Sequence, residues 1–186
     1  MGKDKGKAKQ VAQGTPQLNV MHDGSYSWTQ PDSNGLNGWE GFCGQTAVAN
    51  LLTTHRRGVQ TSPHDVSKAA DDWTPGSSPG TLMRAIGKLA PNVADYELVH
   101  DGDLSAASPT NPIVCLLQWQ GTSFHYVSVI GSAGDRVTIN HWGTQEVLMR
   151  VDFDKRWEFR EGGFGGGLVT FFGGLQGRTS IRKKTR

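Results

Sequence analysis

Residues 41–52 read Gly-Phe-Cys43-Gly44-Gln-Thr-Ala-Val-Ala-Asn-Leu-Leu. Ala47, Val48, Leu51 and Leu52 recur at the spacing of one buried helical face, which predicts a helix over 44–55. Cys43 stands at the head of that helix, flanked closely by Gly41 and Gly44. A helix N-terminus presents unpaired N–H groups and the positive end of the peptide dipole, and both stabilise a thiolate. Gly44 would let a substrate approach the backbone closely. Cys43 is therefore the candidate nucleophile. The second cysteine, Cys115, lies in Pro-Ile-Val-Cys-Leu-Leu and reads as a small buried hydrophobe.

Working outward, Ser62-Pro63 and Ser78-Pro79 are cap-plus-proline starts, predicting helices over 63–72 and 79–89. Leu82, Ile86 and Leu89 form the buried stripe of the second, and Pro91 ends it. Beyond residue 94 the pattern changes to β-like runs at 96–100, 113–119, 125–130, 136–142 and 146–151. Ala133-Gly134-Asp135 predicts a hairpin between two of them. A short helix over 152–159, with Asp152 as its cap, a glycine joint at 162–167 and a last strand over 168–172 complete the expectation. Helices first and strands later indicate an α+β fold: a helical half leading with the cysteine helix, then an antiparallel sheet. The expected organisation is a disordered basic arm over 1–20, one catalytic domain over 21–175, and a flexible basic tail over 176–186.

The net charge of the 186 residues is +2, unevenly spread. Residues 1–10 carry +3 and residues 178–186 carry +5, which leaves −6 for the middle. A body of that sign argues against nucleic acid as its partner, because phosphate contacts need a basic face. No apolar run approaches the roughly 18 residues of a membrane span, and no signal peptide is visible, so synthesis in the cytoplasm is expected. His55, His64, His100 and His141 match no metal-ligand spacing, so neither a metal nor another cofactor is expected. The Gly-rich stretch lacks the Gly-Lys-Ser/Thr ending of a phosphate loop.

An activated thiol needs a base, and the base needs an orienting acceptor. His125 opens the run His-Tyr-Val-Ser-Val-Ile-Gly and shares a strand face with Val127 and Val129. Asn140, in Thr-Ile-Asn-His-Trp-Gly, lies on the strand that the hairpin folds back beside it, and reads as the orienter. His141, one residue on, points to the opposite face and is expected to lie outside the site. Asp135 and Asp152 are competing acceptors, but they fall in a turn and at a helix cap.

These residues together resemble the papain-like cysteine peptidases, and most closely the bacterial double-glycine peptidases that trim leader peptides in bacteriocin export. The likeness rests on Cys43-Gly44 opening a helix, the Pro112-Ile-Val strand, His125-Tyr-Val-Ser-Val, and Asn140-His-Trp-Gly, in that chain order. It spans about residues 37–160. The resemblance implies a papain-like fold and an oxyanion hole made by the Cys43 N–H and a side-chain amide six residues before it, here Asn37. Gln30 and Gln45 are fallback amides. Double-glycine peptidases usually carry Asp as the third residue, so Asn140 departs toward the papain form. Trp142 would wall the site, and with Gly44 would contact substrate.

The implied activity is a cysteine peptidase that cleaves a protein substrate, with a preference for small residues such as Gly-Gly before the cut. The resemblance further suggests a secreted antibacterial effector of the type VI kind, reaching target cells by contact-dependent delivery, with an immunity protein covering its cleft. The same triad would serve a peptidoglycan amidase or a glutamine deamidase. A chain that had lost its oxyanion hole would be an inactive peptide-binding pseudo-enzyme.

Overall fold

Helix α1 (Cys43–His55) has no solvent face: every residue from Cys43 to Thr53 is buried. A helix buried all round must sit at the centre of a fold rather than on its surface. Its polar side chains are satisfied from several directions. Asn50 Oδ1 accepts from the Trp28 N–H (2.8 Å) and Asn50 Nδ2 donates to Ser128 Oγ (3.1 Å). Gln45 Nε2 donates to Ser77 Oγ (2.7 Å), and Thr53 Oγ1 donates to the Thr61 carbonyl (3.1 Å).

The computed structural model describes residues 15–30, 42–56, 59–72, 76–119, 123–158 and 177–184. Ahead of α1 runs a two-stranded ribbon, β1 (Leu18–Val20) and β2 (Tyr26–Trp28). After it come α2 (Pro63–Ala70) and α3 (Pro79–Leu89), then strands β3 (Tyr96–Val99), β4 (Ile113–Gln118), β5 (Phe124–Ala133), β6 (Arg136–His141) and β7 (Thr144–Met149). Helix α4 (Arg150–Trp157) and strand β8 (Ser180–Lys183) follow. Six strands form one antiparallel sheet in the order β3-β8-β4-β5-β6-β7. The fold is α+β, as the order of helical and strand patterns predicts.

Both faces of the sheet are covered. Val114, Leu116, Tyr126 and Ile181 pack with Val48, Leu51, Leu82 and Ile86 on the side of α1–α3. Ile113, Cys115, Leu117, Val127, Val129 and Ile139 pack with Phe153 and Trp157 of α4 on the other. Alternate residues of β4 feed the two cores, which is why 113–117 is an unbroken apolar run. Cys115 is fully buried, and burial pushes its thiol pKa well up.

The caps behave as their chemistry dictates. Ser62 Oγ accepts from the Asp65 N–H (3.2 Å) while Asp65 Oδ2 accepts from the Ser62 N–H (2.8 Å), a reciprocal capping box. Ser78 Oγ accepts from the Thr81 N–H (3.2 Å). Helix α2 ends at Ala70, two residues short of the expected 72, because Asp71 turns left-handed at φ 52°. Helix α4 starts at Arg150, so Asp152 lies within its first turn rather than capping it.

The two ends depart from expectation. Within the arm 1–20, residues Leu18–Val20 form β1 and pair with β2. The tail 176–186 is not flexible through 180–183, because β8 lies between β3 and β4 in the sheet. Ile181 is fully buried, and Arg182 is held by Glu97 (2.8 Å) and Asp101 (2.6 Å), with Asp103 at 3.7 Å. The expected strand 168–172 and the glycine joint 162–167 lie outside the described residues. Among the described residues, no helix is long and apolar enough to cross a membrane.

If β8 closes the sheet, Ile181→Ala should lower stability by about 2–5 kcal/mol in urea unfolding, the usual cost of emptying a buried isoleucine site. Lys184→Ala, at an exposed neighbour, should stay within about 0.5 kcal/mol of wild type. Equal, negligible effects would restore the picture of a loose tail.

Candidate active site

Cys43 is the first residue of α1 and is 7% exposed. Phe42 caps the helix through its backbone only: its carbonyl accepts from the Thr46 N–H (2.9 Å) and from Thr46 Oγ1 (2.8 Å). No side-chain cap is present and no acidic residue lies in the first turn. The positive end of the helix therefore acts at Cys43 with no acidic side chain in its own first turn to cancel it. Gly44 has a role other than substrate contact. A Cβ there would meet Leu82 Cδ1 at 3.0 Å and Tyr126 Cδ2 at 3.1 Å, so the glycine is what lets α1 seat against α3 and β5.

His125, near the start of β5, is 5% exposed and lines the same cleft as Cys43. Gln30, Thr46, Asn140, His141 and Trp142 also line it. His125 Nε2 lies 3.2 Å from His141 Nδ1, and His141 Nε2 lies 3.0 Å from Glu146 Oε2. Burial pushes the His125 pKa down to about 3, and neighbouring His141 pushes the same way. Burial also lowers His141, while the Glu146 carboxylate opposes that shift. Burial thus disfavours the charged form of both rings. Tyr126, against the head of α1, has its phenol raised well above normal by burial and by Cys43.

Asn140 does not orient His125 here. Its Nδ2 donates to Ser25 Oγ (2.8 Å) and to the Tyr26 carbonyl (3.1 Å), and its Oδ1 accepts from Gln145 Nε2 (3.2 Å). It ties the β1–β2 ribbon to β6. The cause is register. At the hairpin end Ala133 pairs with Arg136 and Gly131 with Thr138, but beyond a bulge at Ile130 Val129 pairs with Ile139 and Ser128 with Asn140. One extra residue in β5 exchanges the two faces of β6. Without it Asn140 would lie opposite Val129, on the face of His125. With it, His141 takes that face. The expectation that His141 stands outside the site is thus reversed. The available signal was Gly131 inside a strand pattern, which marks a bulge. Glu146 was missed because it belongs to the next strand, opposite Ile139.

Trp142 and Gly143 form the two-residue loop between β6 and β7, with φ of 50° and 80°. Two positive φ values are those of a type I′ hairpin, where Asn-Gly is the usual pair and a bulky residue is strained. The strained residue covers the cleft: the Trp142 ring stacks on His141 (4.3 Å between centroids) and lies 4.4 Å from His125. Trp119 meets both histidines edge-on, at 5.0 and 5.2 Å. Of the amides considered for the oxyanion, Asn37 lies outside the described residues. Gln30 lines the cleft. Gln45 is fully buried and bonded to Ser77, away from it.

Two further histidines are tied into the structure. His55 lies 3.2 Å from both Tyr96 Oη and Asn111 Oδ1, and His100 lies 3.0 Å from Thr179 Oγ1. Among the described residues, no group of three His, Cys, Asp or Glu side chains is arranged to hold a metal ion.

No protein-family model matches the chain, and no curated protein matches it in sequence. Among solved structures, the peptidase domain of Streptococcus ComA, a bi-functional ABC transporter involved in quorum sensing, is similar to it. The TM-score is 0.49 at 14% identity, covering 78% of this chain and 93% of that one.

The burial of His125 makes stability depend on pH in a definite direction. The unfolded chain takes up a proton near the ordinary value of 6.5, whereas the folded chain does so only near 3. Below 6.5 the unfolded state therefore holds more protons, and stability falls as pH drops through that window, by about 1.4 kcal/mol per pH unit. Urea unfolding should show a loss on the order of 2 kcal/mol between about pH 7 and about pH 5. His125→Phe should flatten that slope. An unchanged slope would assign the acid sensitivity elsewhere.

Proposed function

We propose that this chain is a cysteine peptidase with Cys43 as nucleophile and His125 as base. The observation that carries the reading is that Cys43 and His125 line the same small pocket. An uncapped helix head delivers the thiol, and a buried neutral imidazole with its Nε2 already tied faces the same space. His125 Nδ1 takes the proton from Cys43 Sγ as the sulfur attacks the scissile carbonyl carbon. The tetrahedral oxyanion is held by the Cys43 N–H and a side-chain amide, from Asn37 by resemblance or from Gln30 at the cleft wall. The C–N bond then breaks, and His125 returns the proton to the leaving amine. Water, deprotonated by His125, attacks the thioester, and Cys43 leaves as the thiol.

Trp142 over the cleft supports a preference for small residues, Gly-Gly among them, on the acyl side of the cut. Desolvation keeps His125 uncharged at rest but also weakens it as a base, so the base role requires a partner that favours the protonated ring.

Mass spectrometry of a proteome incubated with wild type and with Cys43→Ala tests the reading. New peptide termini that depend on Cys43 are expected, with cleavage lost by about a thousandfold or more in Cys43→Ala and in His125→Ala. A Cys43-dependent deamidation of glutamine without cleavage would replace peptidase by deamidase. Muropeptide release from sacculi would replace it by amidase. No Cys43-dependent change in any of the three would overturn catalysis.

A further inference from the structure

We infer that His141 and Glu146 are the positioning residues of this site, holding His125 through a carboxylate–imidazole–imidazole chain in place of Asn140. The inference rests on the thiol-hydrolase reading of Cys43 and His125.

Hydrogen-bond capacity fixes the direction of the chain. The Glu146 carboxylate can only accept, so His141 Nε2, 3.0 Å away, carries the hydrogen and donates it. In the neutral form that burial favours, His141 has one N–H, so its Nδ1 holds a lone pair. His125 Nε2, 3.2 Å from that lone pair, must be the donor. His125 Nδ1 is then unprotonated, the state a general base requires. A single carboxylate on β7 thus selects the tautomers of two buried rings in succession. Aromatic walls pack against both rings, which are tilted 55° to each other: Trp142 lies against each, Trp119 meets each edge-on, and Arg156 of α4 lies 4.8 Å over the Trp119 ring.

The chain acts when charge appears. Moving the Cys43 proton to His125 Nδ1 creates an imidazolium in a buried site. Its Nε2–H bond to His141 becomes charge-assisted, and the negative Glu146 faces it across one ring. No proton passes from His125 to His141, and the hydrogen on His141 Nε2 stays with Glu146. The groups facing His141 are Glu146 from β7 and His125 from β5, with the uncharged Trp119 and Trp142 on its flanks and the Arg156 cation beyond Trp119. The depressed basicity of His125 explains the need, since a base that burial weakens gains most from an acceptor that strengthens on protonation.

Side-chain geometry supplies the discriminating variants. Asn carries an oxygen at the δ position, where His141 carries Nδ1, whereas Gln carries its amide one bond further out. The readout is the rate at which iodoacetamide alkylates Cys43, followed on the Cys43 peptide by mass spectrometry from about pH 5 to about pH 10, either side of the ordinary thiol value. Wild type should show a plateau around neutrality, and His125→Ala should lose it. His141→Leu should alkylate about ten- to a hundredfold more slowly at neutral pH, recovering only as the free thiol ionises. His141→Asn should restore the plateau and His141→Gln should not, with thermal midpoints confirming that both are folded. Glu146→Gln, which keeps an acceptor but removes the charge, should fall between wild type and His141→Leu. If His141→Leu and wild type coincide while His125→Ala loses the plateau, the positioning role is wrong and the hydrolase reading stands. Equal loss in the folded Asn and Gln variants would also overturn it. If wild type has no plateau, the hydrolase reading itself fails.

Discussion

Burial of α1 on every side is the constraint from which the rest of the molecule follows. A helix without a solvent face needs cover all round, and here the ribbon, α2, α3 and the sheet provide it. It also needs partners for each polar side chain, and Trp28, Thr61, Ser77 and Ser128 meet Thr53, Gln45 and Asn50. The head of the helix cannot fray into water under these conditions. That rigidity fixes Cys43 against β5 and sets the thiol beside a strand that carries a histidine. Gly44 is part of the same constraint, because it sets how closely helix and strand approach.

The site balances two opposed electrostatic effects. Removing His125 from water weakens it as a base, while keeping it neutral and available. In the proposed reaction, the carboxylate of Glu146, two hydrogen bonds away, compensates only when a positive charge develops on His125. Glu146 is partly exposed, with a side-chain accessibility of 45%, and His141 is almost wholly enclosed at 4%. The anion thus stays hydrated while its influence is carried inward by a ring. This avoids the cost of burying a carboxylate directly against the base.

Much of the fold was legible because the signals were local. Ser62-Pro63 and Ser78-Pro79 fixed two helix starts to the residue, since capping and the proline φ act within one turn. The helix that opens at Cys43 and the strand that carries His125 were legible from their neighbours. What was not legible depended on register and on distant pairing. Asn140 and His141 are adjacent, and which of them faces the base turns on the single bulged residue Ile130. Composition at 140 and 141 is silent on this, because the decision is made ten residues earlier. β8 was hidden for a related reason. Ile181 is its one large apolar residue, basic residues follow it, and its partners lie 65 to 87 residues back along the chain.

The position of β8 also has a consequence for the order of assembly during synthesis. Among the described strands, β3 meets the remainder of the sheet through β8 alone. Cys43, His125, His141 and Glu146 all emerge from the ribosome before residues 180–183 do. A nascent chain that already holds all four still leaves the pairing edge of β4 uncovered and the core beside Val114 without Ile181. Such long-range closure is slow relative to local helix formation. Assembly is therefore timed by topology: the cysteine, the two histidines and the glutamate are encoded early, and the sheet that supports them closes late.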